Sequence, residues 1–178
     1  MRCDDPPLVP DVPVRLVPIA RADAAEWFAY LSQPRAVEHT SWDLSGGVDA
    51  LEKLIDGYES VDPSSAIRFA VRSREGDHLV GTIGFHSISL VHRTAELAYD
   101  VAPAYAGRGV ASACVCAIVP WGFAARGYER IQATVVDTNA ASIRVLEKTG
   151  FAREGLLRGY RRVRGAPRDL WMYARLAP

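Results

Sequence analysis

The spacing of apolar residues changes several times along this chain, and each change marks an element. VRLVPI at residues 14–19 reads as a strand, and Ala25, Phe28, Ala29 and Leu31 recur at helical spacing between Arg21 and Leu31. After a break at Ser45-Gly46-Gly47, residues Val48, Leu51, Leu54, Ile55 and Tyr58 outline a second amphipathic helix that ends near 57–63. From residue 66 the period shortens to two. AIRFAVRS, HLVGTIGFHSISL and TAELAYDVA form three strand-like runs, separated by residues 74–77 and 91–93, which is the pattern of a meander of hairpins. A glycine-bearing turn at 107–109 then leads into a helix reaching about Arg126, followed by the strand RIQATVV at 130–136 and a helix from Asn139 to Lys148 that Gly150 stops. Inside the first of these helices Pro120 removes the bond to the Cys116 carbonyl and predicts a kink. Two more strands, Phe151 to Tyr160 and Asp169 to Leu176, flank an arginine-rich loop at 161–168. The order βααβββαβαββ predicts an α/β (α+β) fold: one mixed sheet with helices on both faces, in a single domain over residues 14–178.

Composition narrows the function classes. A chain of 178 residues buries a sizeable core without staples, and its 21 basic and 21 acidic residues cancel, so nothing global calls for a nucleic acid or an anionic membrane as partner. The apolar stretch Val110 to Ala125 is shorter than the roughly 20 residues of a membrane span and reads as a buried helix. Three cysteines are an odd number, and Cys114 and Cys116 face largely opposite sides of a helix, so neither a disulfide nor a zinc site is expected and a reducing cytoplasm is the simplest setting. The N-terminal MRCDDPPLVPDVP carries charges and prolines where a signal peptide needs an apolar run; residues 1–13 are expected to be a flexible lead-in.

The most informative segment is AELAYDVAPAYAGRGVASA, residues 95–113, in which a strand passes through Gly107-Arg108-Gly109 directly into a helix. Glycines let successive N–H groups converge, the helix N-terminus adds unsatisfied donors and a positive partial charge, and Arg108 adds a formal charge, an arrangement suited to a pyrophosphate. Two glycines before a helix are also a common tight turn, so context decides. The P-loop pattern is absent, and the dinucleotide fingerprint fits poorly because Asp137 lies too far along and the preceding strands read as hairpins.

Gly107-Arg108-Gly109-Val110-Ala111 resembles the R/Q-x-x-G-x-G/A acetyl-CoA motif of the GNAT acetyltransferases, although Ala106 stands where Arg or Gln is usual. Asn139-Ala140-Ala141-Ser142 with Glu147-Lys148-Thr149-Gly150-Phe151 is similar to the N-x-x-S and E-K-x-G-F signature of the RimJ/RimL-type branch, the ribosomal-protein N-acetyltransferase-like enzymes. Further matches are Gly81-Thr82-Ile83-Gly84-Phe85, Ala95-Glu96-Leu97, Arg168-Asp169-Leu170 and Tyr173-Ala174-Arg175-Leu176, so the resemblance covers about residues 14–176 and is most specific in the second half.

The resemblance implies the GNAT fold with a mostly antiparallel sheet, and acetyl transfer from acetyl-CoA to a primary amine by direct attack in a ternary complex, with no metal. Its acceptor would be a protein N-terminal α-amine or a small-molecule amine, with no nucleic acid or membrane as partner, and a homodimer is compatible with it. Tyr99, Asp100 and Val101 would line a gap that holds the pantetheine, the N–H near Val101 facing the thioester carbonyl. The pyrophosphate would lie on Gly107, Arg108, Gly109, Val110, Ala111 and Ser112. Asn139 would both cap its helix and reach the pantetheine arm.

An amine protonated at neutral pH needs a base, and Glu96 is the candidate, against the plainer reading of a strand glutamate that faces solvent or pairs with an arginine. The tyrosine that many of these enzymes place seven residues after the asparagine is Leu146 here, which leaves Ser142 as the candidate donor to the departing thiolate. Its plainer role is a first-turn serine bonding local backbone. The four histidines have no metal spacing, and among them only His86 could touch substrate, against the plainer and favoured reading of an ordinary polar strand position. Trp42, Tyr30 and Phe28 fall in the region that lines the acceptor site of this fold, where core packing explains them equally well, and the arginines from 158 to 168 are expected at a solvated hairpin tip. The rival reading is a noncatalytic acyl-CoA sensor, to which the Ala106 and Leu146 departures point and against which Glu96 and Ser142 stand; a nicotinamide-dependent oxidoreductase is a remote third.

Overall fold

A computed structural model describes residues 5–39, 44–60 and 62–178. Its elements run β1 (Val14–Pro18), α1 (Ala24–Leu31), α2 (Pro34–Val37), α3 (Gly47–Tyr58), β2 (Ile67–Ser73), β3 (Leu79–Ser89), β4 (Thr94–Val101), α4 (Val110–Arg126), β5 (Arg130–Val136), α5 (Ala140–Lys148), β6 (Ala152–Val163) and β7 (Ala166–Leu176). Short 3-10 turns at Arg21–Asp23 and Pro103–Tyr105 precede α1 and the glycine loop. The expected order of strands and helices is present, with the single turn of α2 added between the first two helices.

All seven strands join one sheet in the order β1-β2-β3-β4-β5-β7-β6. Every pairing is antiparallel except β4 with β5, which α4 connects as a crossover. Strand alternation feeds two cores. Phe69 and Val71 on β2 pack on one face with Phe85, Leu97, Ile131 and the α4 stripe Val110, Cys114, Val115, Ile118 and Val119, while Ala70 between them faces Trp27, Leu31, Leu51 and Ile55 of α1 and α3. Aromatic rings tie α4 down: Trp121 meets Phe69 edge-on at 5.6 Å and stacks on Phe85 at 6.4 Å, and Tyr128 meets Phe85 edge-on at 5.3 Å.

Pro120 and Cys116 lie on the exposed side of α4, and the helix continues through the proline to Arg126, so the carbonyl left without a partner is on the side water reaches. The lead-in is anchored from Val9 onward: Val9 is 3% exposed and joins the main core, with Val12 packed against it. No helix among the described residues is long and apolar enough to cross a membrane.

The largest departure from expectation is the last hairpin. Its strands extend to Val163 and from Ala166, leaving a two-residue turn in which Arg164 and Gly165 both have positive φ, 54° and 76°. That is the conformation whose twist matches two antiparallel strands, and it absorbs most of the expected arginine loop into the ladder. Arg161 pairs in register with Arg168 and Arg162 with Pro167, so these arginines lie in the strands flanking the turn.

Close approach explains one glycine of β3. A Cβ on Gly84 would sit 1.9 Å from the Ile67 carbonyl oxygen, whereas one on Gly155 in β6 would meet nothing within 4 Å. Gly84→Ala is therefore expected to destabilise the fold by roughly 1–3 kcal/mol or more, and Gly155→Ala to stay within about 0.5 kcal/mol of the parent, as read from the midpoints of urea unfolding.

Candidate active site

The parallel pairing of β4 with β5 is confined to Thr94↔Arg130, Ala95↔Ile131 and Glu96↔Gln132. Beyond Glu96, β5 continues against β7 as far as Val136 while β4 stays with β3, so the two central strands part. A cavity of about 830 Å³ opens along this separation. It brings together every catalytic and cofactor-binding residue expected from the sequence except Arg108: Glu96, Tyr99, Asp100, Val101, Gly107, Gly109, Val110, Ala111, Ser112, Asn139 and Ser142 all line it.

One end of the cavity is the glycine loop. Gly107 and Gly109 have φ of 76° and 79°, left-handed values that an L side chain adopts only under strain, and Gly109 is the N-cap of α4. The first intrahelical bond is from Ala113 N–H to the Gly109 carbonyl, which leaves the amides before it to point outward at the helix terminus. Arg108 instead lays its guanidinium over the Tyr105 ring at 5.5 Å. The positive side chains that do line the cavity from α5 are Arg144 and Lys148, which sequence reasoning did not assign to the site.

The walls of the gap are β4 and α5. Asn139 Oδ1 accepts the Ser142 amide at 3.1 Å, confirming its role as a cap, and the Tyr99 hydroxyl donates to the Ser142 carbonyl at 3.4 Å. Burial pushes the Tyr99 hydroxyl up to about 12, so it remains a donor through the physiological range. Leu146 is buried and supplies apolar wall where the expected tyrosine is missing.

Glu96 is 5% exposed, so it does not face solvent, while the other plain reading, pairing with an arginine, is met by Arg161 at 3.9 Å. Its carboxylate accepts from Thr134 Oγ1 at 2.6 Å, with His86 Nε2 at 4.0 Å and Arg161 Nη2 at 3.9 Å. Burial lowers the His86 pKa, the nearby Glu96 charge opposes this and Arg68 and Arg161 add to it, which keeps the ring neutral at pH 7. Arg161 was expected at a solvated hairpin tip; the strand ladder instead carries it to the cavity, as it does Val163 two residues on.

The Asp100 side chain is taken up within the protein, which leaves the main-chain contact expected of this stretch open. Its carboxylate accepts from Arg68 Nη2 at 2.6 Å, Thr82 Oγ1 at 2.7 Å and the Tyr30 hydroxyl, so only its main chain is available to a cofactor. Arg68 also donates to Thr82 Oγ1 at 2.9 Å and to the Ala98 carbonyl at 3.1 Å, and its guanidinium lies 5.6 Å from the Trp27 ring centre. Tyr30 thereby belongs to the site, Phe28 packs on the second core away from the cavity, and Trp42 lies outside the described residues. An arginine set among apolar residues in IRFAVRS was the available sign of Arg68; Thr134 carried none beyond its alternation with core residues.

Backbone left unpaired along a splayed strand, a helix N-terminus at one end and a buried carboxylate at the other suit a long acyl carrier with an anionic head, and the comparisons with known proteins agree. The model of the Acetyltransferase (GNAT) domain matches residues 14–152. The uncharacterized N-acetyltransferase YoaA of Bacillus subtilis (strain 168) is 33% identical over 161 residues, 90% of this chain and 91% of that protein. A spermidine N(1)-acetyltransferase of Vibrio cholerae is 27% identical over 109 residues, 61% of each chain. Mycobacterium smegmatis RimJ, solved in complex with CoA-disulfide, superposes with a TM-score of 0.85 at 27% identity over 97% of this chain and 86% of that one. The chain belongs to the GNAT acetyltransferase family and is an acetyl-CoA-dependent N-acetyltransferase.

Proposed function

We propose that Glu96 is the base that frees the acceptor amine, that Ser142 serves the departing thiolate, and that the acceptor is a primary amine on a protein N-terminus or a small molecule. The observation that carries this reading is the position of Glu96. It is buried at the last paired residue of β4 before the strands separate, so its carboxylate faces the cavity at the inner end of the gap. Thr134 holds one of its oxygens, and the cavity it faces is lined on another side by Tyr30, Arg35 and Tyr58 of α1, α2 and α3.

Each group then has a task. Main-chain N–H groups of β4 past Glu96 have no partner on β5 and are free to bond the pantetheine and to meet the negative charge that develops on the thioester oxygen, an interaction worth a few kcal/mol in acyl transfer. The first turn of α4, with Arg144 and Lys148, receives the pyrophosphate. Glu96 takes the proton of the ammonium, the amine attacks the acetyl carbon, and the Ser142 hydroxyl donates a hydrogen bond to the sulfur as the C–S bond breaks. A neutral His86 adds no positive charge beside the incoming ammonium. Relatives of the chain include spermidine acetyltransferases and a putative ribosomal N-acetyltransferase, which are the two acceptor classes between which the reading divides.

Three outcomes are expected. Glu96→Gln lowers kcat by roughly 10²–10⁴-fold while acetyl-CoA affinity, read by calorimetric titration, stays close to the parent; full activity would remove Glu96 as the base, and a protein with no amine-dependent turnover at all would be a sensor. Gly109→Asp weakens acetyl-CoA binding at least tenfold, because the aspartate puts a side chain on a left-handed residue and a negative charge against the pyrophosphate. The third concerns pH. The folded His86 pKa lies below its unfolded value, so between the two the unfolded chain binds more protons and stability falls as pH falls. His86 thus contributes stability that is complete above the ordinary histidine value of about 6.5 and is lost as pH drops through the depressed one. Thermal melts between pH 7.5 and 5 should show a steeper decline for the parent than for His86→Gln.

A further inference from the structure

We propose that the amine acceptor carries a carboxylate close to its nitrogen, as a free amino acid does, and that Arg161 binds that carboxylate. The inference rests on acetyl transfer at Glu96 and adds the class of acceptor.

Charge at the acceptor end of the cavity carries the argument. Among the described residues only two carboxylates line the cavity, Glu96 and Asp100. The second is already matched by Arg68 at 2.6 Å and by the Thr82 and Tyr30 hydroxyls. Glu96 is thus the single carboxylate not already paired at hydrogen-bonding distance with a cation of the protein. Arg161 stands beside it at 3.9 Å, and Arg35 of α2 lines the same cavity. A polyamine held with one nitrogen at Glu96 places its remaining ammonium groups among these cations, where repulsion opposes it. A simple alkylamine takes up the charge of Glu96, the carboxylate that Arg161 faces at 3.9 Å, and brings no second anion for the guanidinium.

Geometry selects the complement. Arg161 Nη2 lies 3.9 Å from Glu96 Oε1, beyond hydrogen-bonding distance, with 39% of its side chain exposed against 7% for Glu96. A deep anion and a rim cation side by side present the inverse of a zwitterion, in which an ammonium and a carboxylate sit on one carbon or on neighbours. With its nitrogen at Glu96, such a molecule directs its carboxylate outward to the guanidinium, whose planar fork takes carboxylates through two bonds. The alternation of β6 fixes the direction: Arg161 and Val163 line the cavity, while Arg162 between them donates to the Gly165 carbonyl in the turn. A peptide N-terminus has an amide in place of this carboxylate and is the competing acceptor that the test separates.

The test measures free thiol released from acetyl-CoA with several α-amino acids, each supplied as the acid, the carboxamide and the decarboxylated amine, beside spermidine and short peptides. The proposal expects the acid to exceed its carboxamide in kcat/KM by roughly ten- to a hundredfold. Arg161→Gln should collapse that ratio through KM for the acid, and Arg161→Lys should recover part of it. Acetyl-CoA titration of each variant reports whether it is folded. Turnover in which the carboxamides, the peptides or spermidine equal or exceed the acids overturns the proposal and leaves acetyl transfer standing, as does an acid preference that Arg161→Gln leaves intact. Acetyl-CoA binding without turnover of any acid also overturns it. Failure of the parent to bind acetyl-CoA overturns the functional reading beneath it.

Discussion

The structure depends on how few hydrogen bonds join β4 to β5. Their pairing spans three residues of each strand in the middle of a seven-stranded sheet, after which each strand keeps only its outer neighbour. Backbone groups in a buried sheet are costly to leave unmade, so an opening here persists only because something else satisfies or wets those groups. The separation produces a slot with strand-like donors and acceptors on its walls, and it sets a buried carboxylate at one end and a helix terminus at the other. The two cores hold it open from both faces: α4 packs against the β2–β5 side through Phe69, Phe85 and Trp121, and α1 and α3 cover the reverse.

The Arg68–Asp100 pair belongs to the same constraint. Asp100 lies on the unpaired length of β4, and Arg68, Thr82 and Tyr30 bind it from β2, β3 and α1. Arg68 also takes the Ala98 carbonyl, so the stretch of β4 that lacks β5 as a partner is secured through its polar face. Both pair members are largely removed from water, a setting in which removing one partner alone leaves an uncompensated charge. The network therefore fixes the unpaired length of β4 along the cavity, with the Asp100 carboxylate held by Arg68, Thr82 and Tyr30.

Much of this architecture was legible in the sequence because it rests on local signals. Period-two runs marked β2 to β4, the Asn139 cap and Gly150 bounded α5, and two glycines before an apolar helix marked the loop that closes one end of the cavity. Glu96 and Ser142 followed from motifs of fixed spacing. What escaped depended on partners distant in sequence. Arg161 read as loop because its strand is completed by a two-residue turn at Arg164-Gly165, whose left-handed arginine has no strong sequence mark. Arg68, Thr134 and the side-chain role of Asp100 emerge only when β2, β3, β4 and β5 lie side by side. Arg108 was assigned from its place between the glycines, yet its side chain turned to Tyr105.

Glu96 and the arginine beside it come from very different parts of the sheet. Glu96 sits on the central strand, locked between neighbours on both sides and buried, whereas Arg161 stands on β6, the outermost strand, with solvent within reach. Substitutions at Glu96 disturb packing that the central strands share, whereas Arg161, with 39% of its side chain exposed, can change with less effect on the interior. The buried carboxylate is thereby set apart from the exposed edge of the cavity, so a lineage built on this plan can vary the side chain at the rim without reworking the sheet's interior.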